Sequence, residues 1–86
     1  MEYNDAVKNR LKRVEGQIRG ILNMIEKGED CRSIVTQLSA VRTAVDRTIG
    51  VVIGENLAHC IREQVEAGQD PDEVIQEAVE LIVKSR

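Results

Sequence analysis

Residues 31–60, CRSIVTQLSAVRTAVDRTIGVVIGENLAHC, begin and end with the only two cysteines of an 86-residue chain and contain no proline. Their apolar residues recur at nearly heptad spacing, which predicts one helix that packs along its length against other helices and continues to about Glu66. At about 1.5 Å per residue, the thiols of Cys31 and Cys60 in such a helix are roughly 43 Å apart. We therefore expect each thiol to act alone or to meet the other cysteine of a second chain.

Two glycines interrupt this helical pattern. Gly50 and Gly54 are each unfavourable inside a helix by up to about 1 kcal/mol relative to alanine. They are consistent with the close approach of a second helix, with a bend, or with two tolerated small residues. A complete break at this point would replace the long helix by two shorter ones.

A shorter helix is predicted before the central one. Residues 4–27 carry an apolar stripe at spacings of three and four, and Gly28 follows as the residue that ends the helix. The central helix should start just after Glu29 or Asp30, because either residue places negative charge at a helix N-terminus.

A third helix is predicted from Pro71 to about Lys84. Gly68 ends the central helix. Asp70, Pro71 and Glu73 then supply an N-cap, a proline at the first helical position and a glutamate at the third. The chain contains no strand pattern and no repeat, so we predict an all-α fold with three helices.

The apolar residues of the chain are small. Hydrophobic residues make up 42% of it, yet Tyr3 is the single aromatic residue. Valine, isoleucine, leucine and alanine suit helix–helix contacts but cannot build a deep core in one short chain, so we expect obligate oligomerisation. We take residues 1–86 as a single domain. We expect it in the cytoplasm, because no apolar run could span a bilayer and the polar N-terminus is not a signal peptide.

Three helices with one very long member do not close a globular monomer. We expect the central helix to pair antiparallel with its copy in a second chain, with both first helices alongside, as a four-helix bundle. The midpoint of residues 31 and 60 lies near the centre of the central helix. A crossing at that midpoint places Cys31 of one chain beside Cys60 of the other, twice per dimer.

Positive charge is concentrated near the N-terminus, although the whole chain carries a net charge of −3. Residues 7–19 contain five Lys/Arg and a single acid, Glu15, whereas residues 61–86 contain three Lys/Arg and seven Asp/Glu. An acidic protein can bind nucleic acid through such a segregated basic patch. The patch has no aromatic residue, which favours duplex DNA over stacking on single strands. The alternative is a solvated helix face whose cations pair with Glu15 and Glu26.

Four stretches together resemble the copper-sensing operon repressor (CsoR) family: NRLKRVEGQIRGI at residues 9–21, DC at 30–31, TQLSAVR at 36–42 and ENLAHC at 55–60. The resemblance covers nearly the whole chain. It implies an all-helical DNA-binding repressor without a helix-turn-helix, assembled as a dimer of dimers, with effector sites between chains.

The resemblance also assigns DNA contacts. Arg10 and Arg47 match family positions that are tied to operator binding. The basic surface around them is extended by Lys8, Lys12, Arg13 and Arg19.

The sensing residues depart from the copper-sensing pattern. Copper-sensing members bind Cu(I) through a cysteine and an H-x-x-x-C pair, positions that here hold Cys31, Asn56 and Cys60. Asn56 stands where the histidine is expected, and an amide is a poor ligand for soft Cu(I). His59 is rotated by about 100° from Cys60 on a helix and does not replace it. The nickel, cobalt and formaldehyde sensors also need histidine, at this position or near the N-terminus, and residues 1–10 contain none. We therefore predict no metal site and no cofactor.

The remaining thiol pair is similar to the sulfurtransferase-operon repressor (CstR) branch of the family, whose members sense reactive sulfur species. The chemistry agrees, because a helix N-terminus favours the thiolate of Cys31, whose attack on a persulfide or polysulfide can be resolved by Cys60. Helix axes pack roughly 8–10 Å apart, so a bridge with additional sulfur atoms joins two helices with less strain than a disulfide.

These features predict a transcriptional repressor that binds double-stranded operator DNA when reduced. It is released when persulfide or polysulfide cross-links Cys31 to Cys60 of the partner chain. A Cu(I)-responsive repressor that uses only the two thiolates is the alternative within the family. Outside the family, the cysteines could be buried small residues of a purely structural helical oligomer. A thiol enzyme is not supported, because the chain has no acid–base pair near a cysteine and no cofactor motif.

Overall fold

The structure is a computed structural model that describes residues 3–85, which form three helices and no strand. Helix α1 spans Asp5–Glu26, α2 spans Cys31–Glu66 and α3 spans Asp72–Lys84. The predicted all-α class, with one long helix between two shorter ones, is confirmed. None of the helices in this part of the chain combines the length and the apolar character needed to traverse a bilayer.

Helix α2 is continuous over 36 residues and carries both cysteines. It passes through Gly50 and Gly54 without a break, so the alternative of two shorter helices is wrong. Beyond the local helix backbone, no heavy atom of the described chain lies within 4 Å of the point where a Cβ atom would sit on either glycine. Within one chain, these two glycines therefore do not serve a close helix contact.

Helices α1 and α2 both end at a glycine, as predicted. Gly28 has φ +74° and Gly68 has φ +73°, a left-handed conformation in which a Cβ atom is penalised. After α1, the amide of Glu29 donates to the carbonyl of Met24 over 3.0 Å, and the same hydrogen-bond pattern follows Gly68. These bonds pair carbonyls that a helix end otherwise leaves without a partner.

Helix α3 starts one residue later than predicted. Pro71 occupies the N-cap position rather than the first helical position, and it forms no side-chain cap hydrogen bond. The carboxylate of Asp70 instead accepts a hydrogen bond of 3.1 Å from the amide of Asp72. An aspartate can bond its own backbone two residues on, and here that local turn replaces the reciprocal cap predicted with Glu73.

The described chain forms two compact units whose boundary falls inside α2, between Thr48 and Ile49. The first unit, residues 4–48, contains α1 and the N-terminal half of α2, joined by the turn at residues 27–30. The second contains Tyr3, the rest of α2 and α3. The cysteines are divided between them, with Cys31 in the first unit and Cys60 in the second.

The apolar stripe of α1 divides into a buried row and an exposed row. Val7, Val14 and Ile21, seven residues apart, are only 4%, 8% and 6% exposed. The other large apolar residues of this stripe are exposed: Leu11, Ile18, Leu22 and Ile25. One chain therefore buries a narrow seam and leaves an adjacent apolar row accessible.

The second unit has the same character. Ala78 of α3 is buried, whereas most of the large apolar residues of α3 are exposed: Ile75, Val79, Leu81, Ile82 and Val83. Monomeric proteins rarely expose apolar surface on this scale, which is typical of faces that contact another chain.

Candidate functional site

A basic cleft lies within the first unit, between α1 and the N-terminal half of α2. Its volume is about 370 Å³, and no acidic residue lines it. Three of the six residues predicted to bind DNA, Arg10, Arg13 and Arg47, meet here although they come from two helices. The complete lining is Arg10, Arg13, Gln17, Ala40, Thr43, Ala44, Arg47 and Thr48.

The positions of the residues around the axis of α1 explain which of them line the cleft. At about 100° per residue, Arg10, Arg13 and Gln17 fall within roughly 60° of one another around α1. They lie on the edge next to the buried row Val7, Val14 and Ile21, so they border the seam between α1 and α2.

The other three predicted DNA-binding residues lie outside the cleft. Lys8, Lys12 and Arg19 are exposed on roughly the opposite side of α1. Arg19 forms an ion pair of 3.4 Å with Glu15, four residues earlier, and both side chains are largely exposed. Such a pair contributes little to stability and partly neutralises the charge available to an external anion.

Gln17 is a residue of the cleft that the sequence argument did not select. Its Oε1 atom is buried and has no hydrogen-bond partner within residues 3–85. The nearby hydroxyl groups are committed to their own helix, since Thr43 donates to the carbonyl of Ser39 and Thr48 to that of Ala44. The signal that could have identified Gln17 was its place on the same edge of the first helix as Arg10 and Arg13.

Cys31 occupies the first turn of α2, as predicted, and its side chain is exposed. Asp30 is the N-cap of this helix, because its Oδ1 atom accepts a hydrogen bond of 2.8 Å from the amide of Ser33. Hydrogen bonds from the backbone and then the side chain of Ser33 lower the pKa of Asp30 below its usual 3.8. A free thiol thus lies beside an ionised carboxylate at the N-terminus of a long helix.

The cap of α2 leads to a prediction about acid stability. Because the pKa of Asp30 is lowered on folding, its contribution to stability is present above pH 3.8 and is lost as the pH falls through the folded-state value. Asp30→Asn retains a capping oxygen without a titratable group, so its stability relative to the wild type should rise as the pH falls below 3.8. Asp30→Ala should lower the melting temperature at pH 7. Circular dichroism of all three proteins from pH 2 to 7 tests this, and equal melting curves at every pH would contradict it.

Cys60 lies in the second unit and is half-buried. Its Sγ atom is 3.9 Å from Oδ1 of Asn56, one helical turn earlier, in a hydrogen bond that the thiol donates. His59 points elsewhere, with its Nε2 atom 3.0 Å from Oε1 of Glu63. The structure therefore pairs Cys60 with an amide oxygen and pairs the single histidine with a glutamate.

The side chains around Cys60 are poor ligands for a soft metal ion. Within residues 3–85 of one chain, no three His, Cys, Asp or Glu side chains cluster in a way that could hold a metal. Asn56 offers an amide oxygen at the position beside Cys60, and soft ions such as Cu(I) prefer thiolate or imidazole. The side chains beside Cys60 thus supply one thiol and no second soft ligand.

Comparison with known proteins places the chain among bacterial regulators. The family described as "Metal-sensitive transcriptional repressor" matches residues 3–84. A Bacillus subtilis (strain 168) protein named YrkD is 52% identical over 63 residues, covering 73% of this chain and all of YrkD. The copper-sensing transcriptional repressor CsoR of the same organism is 36% identical over 80 residues, covering 93% of this chain and 78% of CsoR. The solved structure of the nickel-responsive transcriptional regulator InrS superimposes with a TM-score of 0.78 at 29% identity, covering 96% of this chain and 92% of InrS.

Proposed function

The chain belongs to the family of metal-sensitive transcriptional repressors that includes CsoR, and from this premise we propose that it is a repressor controlled by reactive sulfur species. Reduced protein binds operator DNA in the cytoplasm. Persulfide or polysulfide links Cys31 of one chain to Cys60 of a partner chain, and the linked protein releases the DNA. Its CsoR relative is a transcriptional repressor and not an enzyme, and this chain likewise is a regulator.

The distribution of charge supports DNA binding. Residues 4–48 contain nine Lys/Arg and six Asp/Glu, whereas residues 49–85 contain two Lys/Arg and eight Asp/Glu. The positive unit carries the cleft with Arg10, Arg13 and Arg47. Phosphate contacts from such residues supply much of the affinity for duplex DNA, so binding should weaken steeply with salt.

The exposed apolar faces support oligomerisation. In the first unit the uncovered row of α1 is accompanied by Val35 and Leu38 of α2, which are 53% and 49% exposed. A second copy packed on these faces gives the four-helix bundle, and a pair of such dimers gives the proposed dimer of dimers. In the dimer, antiparallel pairing of two α2 helices brings Cys31 to Cys60 of the partner chain.

The environment of Cys60 is the observation that favours reactive sulfur species over Cu(I) as the effector. Asn56 accepts the hydrogen bond of the thiol at the position where a copper-sensing member has histidine. Two thiols and an amide have no third soft ligand for Cu(I), but they can undergo thiol chemistry. Each time a cysteine sulfur bonds to a sulfur atom of polysulfide, a sulfur–sulfur bond of the polysulfide breaks. Hydrosulfide then leaves with the electron pair of the broken bond and with the thiol proton. Polysulfide itself is therefore the oxidant.

A gel-shift experiment tests the proposal on DNA from upstream of the protein's own operon. Reduced protein should shift the duplex, polysulfide-treated protein should not, and reductant should restore the shift. Mass spectrometry of the treated protein should show Cys31 joined to Cys60 by a bridge heavier than a disulfide. Failure of the reduced protein to bind the DNA would refute the proposed repressor. A plain disulfide as the only product would refute a bridge with additional sulfur atoms.

A Cu(I) titration in the same gel-shift experiment distinguishes between the two candidate effectors, polysulfide and Cu(I). Protein titrated with Cu(I) under a strong competing chelator should remain on the DNA. The matched positive control is Asn56→His, which supplies the imidazole one turn before Cys60 and should gain tight Cu(I) binding. Release of the unmodified chain by competed Cu(I) would favour the two-thiolate copper sensor instead.

A further inference from the structure

The amide of Asn56 and the thiol of Cys60 form a hydrogen-bonded pair on one face of α2. The Sγ atom of Cys60 is 3.9 Å from Oδ1 of Asn56, one helical turn earlier, and both side chains are half-buried. A thiol has one hydrogen atom, so donating it to Asn56 fixes the direction of the S–H bond. The sulfur lone pairs, which form the new bond in thiol exchange, are therefore directed away from Asn56.

The neighbouring polar groups of α2 leave this pair undisturbed. His59 contacts Glu63 over 3.0 Å, and its position is turned by about 100° from Cys60 around the helix. Gln64 lies one turn after Cys60 on the same side of α2 and is also half-buried, but the thiol donates in the opposite direction, to Asn56. Asn56 is thus the polar side chain that α2 itself holds against the thiol.

An amide can bond both to a thiol and to the anionic sulfur that forms when the thiol loses its proton. Its oxygen accepts a hydrogen bond from S–H, and its NH₂ group carries two donors. The terminal torsion of asparagine is broad and roughly two-fold, so a half-turn exchanges the oxygen for the nitrogen without moving the rest of the side chain. A hydrogen bond to a charged group is roughly twice as strong as one between neutral groups, so the turned amide stabilises the sulfur most while it is negatively charged.

We propose that Asn56 is a positioning residue for the cross-linking step: its oxygen orients the thiol of Cys60, and its amide turns over to donate to the sulfur when the proton leaves. The anionic sulfur then bonds to a sulfur atom that Cys31 of a partner chain has acquired from polysulfide. A sulfur–sulfur bond of that acquired group breaks, and hydrosulfide leaves with the electron pair and takes up the thiol proton. Polysulfide is the oxidant. The inference rests on the proposed function for the cross-link, but not for the pairing of amide and thiol.

Alkylation by iodoacetamide tests the pairing without DNA or polysulfide. The full chain carries Cys31→Ser, so that Cys60 is its single thiol, and mass spectrometry follows the rate from about pH 6 to 10. Asn56→Asp keeps the size of the side chain and an acceptor oxygen, but it has no N–H donor and places a negative charge beside the anionic sulfur. The pH of half-maximal rate should therefore rise by at least about one unit, which lowers the rate at neutral pH about tenfold. An unchanged pH profile would overturn the inference.

Gln64→Glu in the same background is the matched control. It makes the same amide-to-carboxylate change one turn after Cys60, on the same side of α2 and at a half-buried position, but away from the hydrogen bond. Every other charged group of the chain is the same in the two variants. The pH of half-maximal rate should rise by less than about half as much as in Asn56→Asp. Equal rises would show that charge alone acts on the sulfur and would refute a role for the amide.

The polysulfide reaction itself separates positioning from packing. In the chain with both cysteines, Asn56→Leu keeps a similar size without a donor or acceptor, and it should slow cross-linking at least about fivefold. Asn56→Gln restores an amide and should stay within about threefold of the wild type. Equal rates in Asn56→Leu and the wild type would refute the positioning role, as a side chain that only fills space would be replaced by leucine. Circular dichroism confirms folding, and if Asn56→Asp does not fold, this pair decides.

The two experiments fail in different ways. If alkylation of Cys60 responds to Asn56→Asp but polysulfide joins no chains of the wild type, the amide acts on the thiol as proposed and the sulfur-controlled repressor fails. If the wild type is cross-linked and released from DNA while Asn56→Leu reacts at the same rate, the repressor stands and the positioning role of Asn56 is refuted.

Discussion

Replacing Arg10 and Arg47 together by alanine should weaken operator binding by at least about 100-fold at 0.1 M salt, because each charge-assisted contact contributes about 1.5–3 kcal/mol. The two side chains come from different helices and line the same cleft, so the double substitution removes two charges from the surface that we propose contacts DNA. The slope of log affinity against log salt should fall by about two for each bound chain. Fluorescence anisotropy over a salt series measures both quantities.

The matched control for this pair is Lys8→Ala with Lys12→Ala. It removes the same formal charge from the same unit, residues 4–48, but leaves the cleft intact. Both lysines are exposed and lie outside the cleft, so we expect them to act on DNA only through general charge attraction and their removal to cost about tenfold or less in affinity. If the lysine pair costs as much affinity as the arginine pair, charge alone controls binding and the cleft has no special role.

The second large effect concerns the cysteines. Polysulfide should reduce the operator affinity of the wild type by about 5- to 150-fold, a range typical of allosteric coupling. Cys31→Ser and Cys60→Ser should each remain on the DNA under the same treatment, because a single thiol cannot complete the cross-link. By reciprocity, operator DNA should slow or disfavour cross-linking of the wild type by a comparable free energy. Release of either single variant by polysulfide would contradict a two-cysteine switch.

Mixing the two single variants tests whether the cross-link joins different chains. A dimer of one Cys31→Ser chain and one Cys60→Ser chain retains one Cys31 and one Cys60, on separate polypeptides. After polysulfide treatment this mixture should give a covalent dimer on a non-reducing gel, whereas each variant alone should give none through this pair. A cross-link confined to single wild-type chains would instead require α2 to bend back on itself, against the continuous helix that spans Cys31–Glu66.

The helices were predictable because their signals are local. Spacings of three and four in α1, the near-heptad pattern of α2 and the glycines at 28 and 68 each act over a few residues, and the structure confirms the elements that they predict. The start of α3 was displaced by one residue because Asp70 had two local hydrogen-bond options and bonded the amide of Asp72. The sequence pattern could not rank those two options.

The candidate site was predictable only in part. Six basic residues were selected from charge and from the family resemblance, yet the cleft contains Arg10, Arg13 and Arg47 and leaves the others on a separate face. Neither criterion selects Gln17, because it carries no charge and the burial of its Oε1 atom depends on the neighbouring helix. The assignment of Asn56 beside Cys60 needed only the spacing of four residues on one helix, and the hydrogen bond between them follows from it.

The sequence by itself determined the helical class, the glycine-marked ends of α1 and α2, and the pairing of Asn56 with Cys60, because all of these depend on neighbours within about a turn of helix. It also determined the separation of basic from acidic segments, which is a property of composition along the chain. Only the tertiary structure decided which cations share a cavity, that the Oε1 atom of Gln17 is buried without a partner, and which apolar row is covered. Those outcomes depend on how residues 31–48 pack against α1. Packing is set by contacts between residues that are tens of positions apart in the chain, whereas helix periodicity records only which side chains share a face.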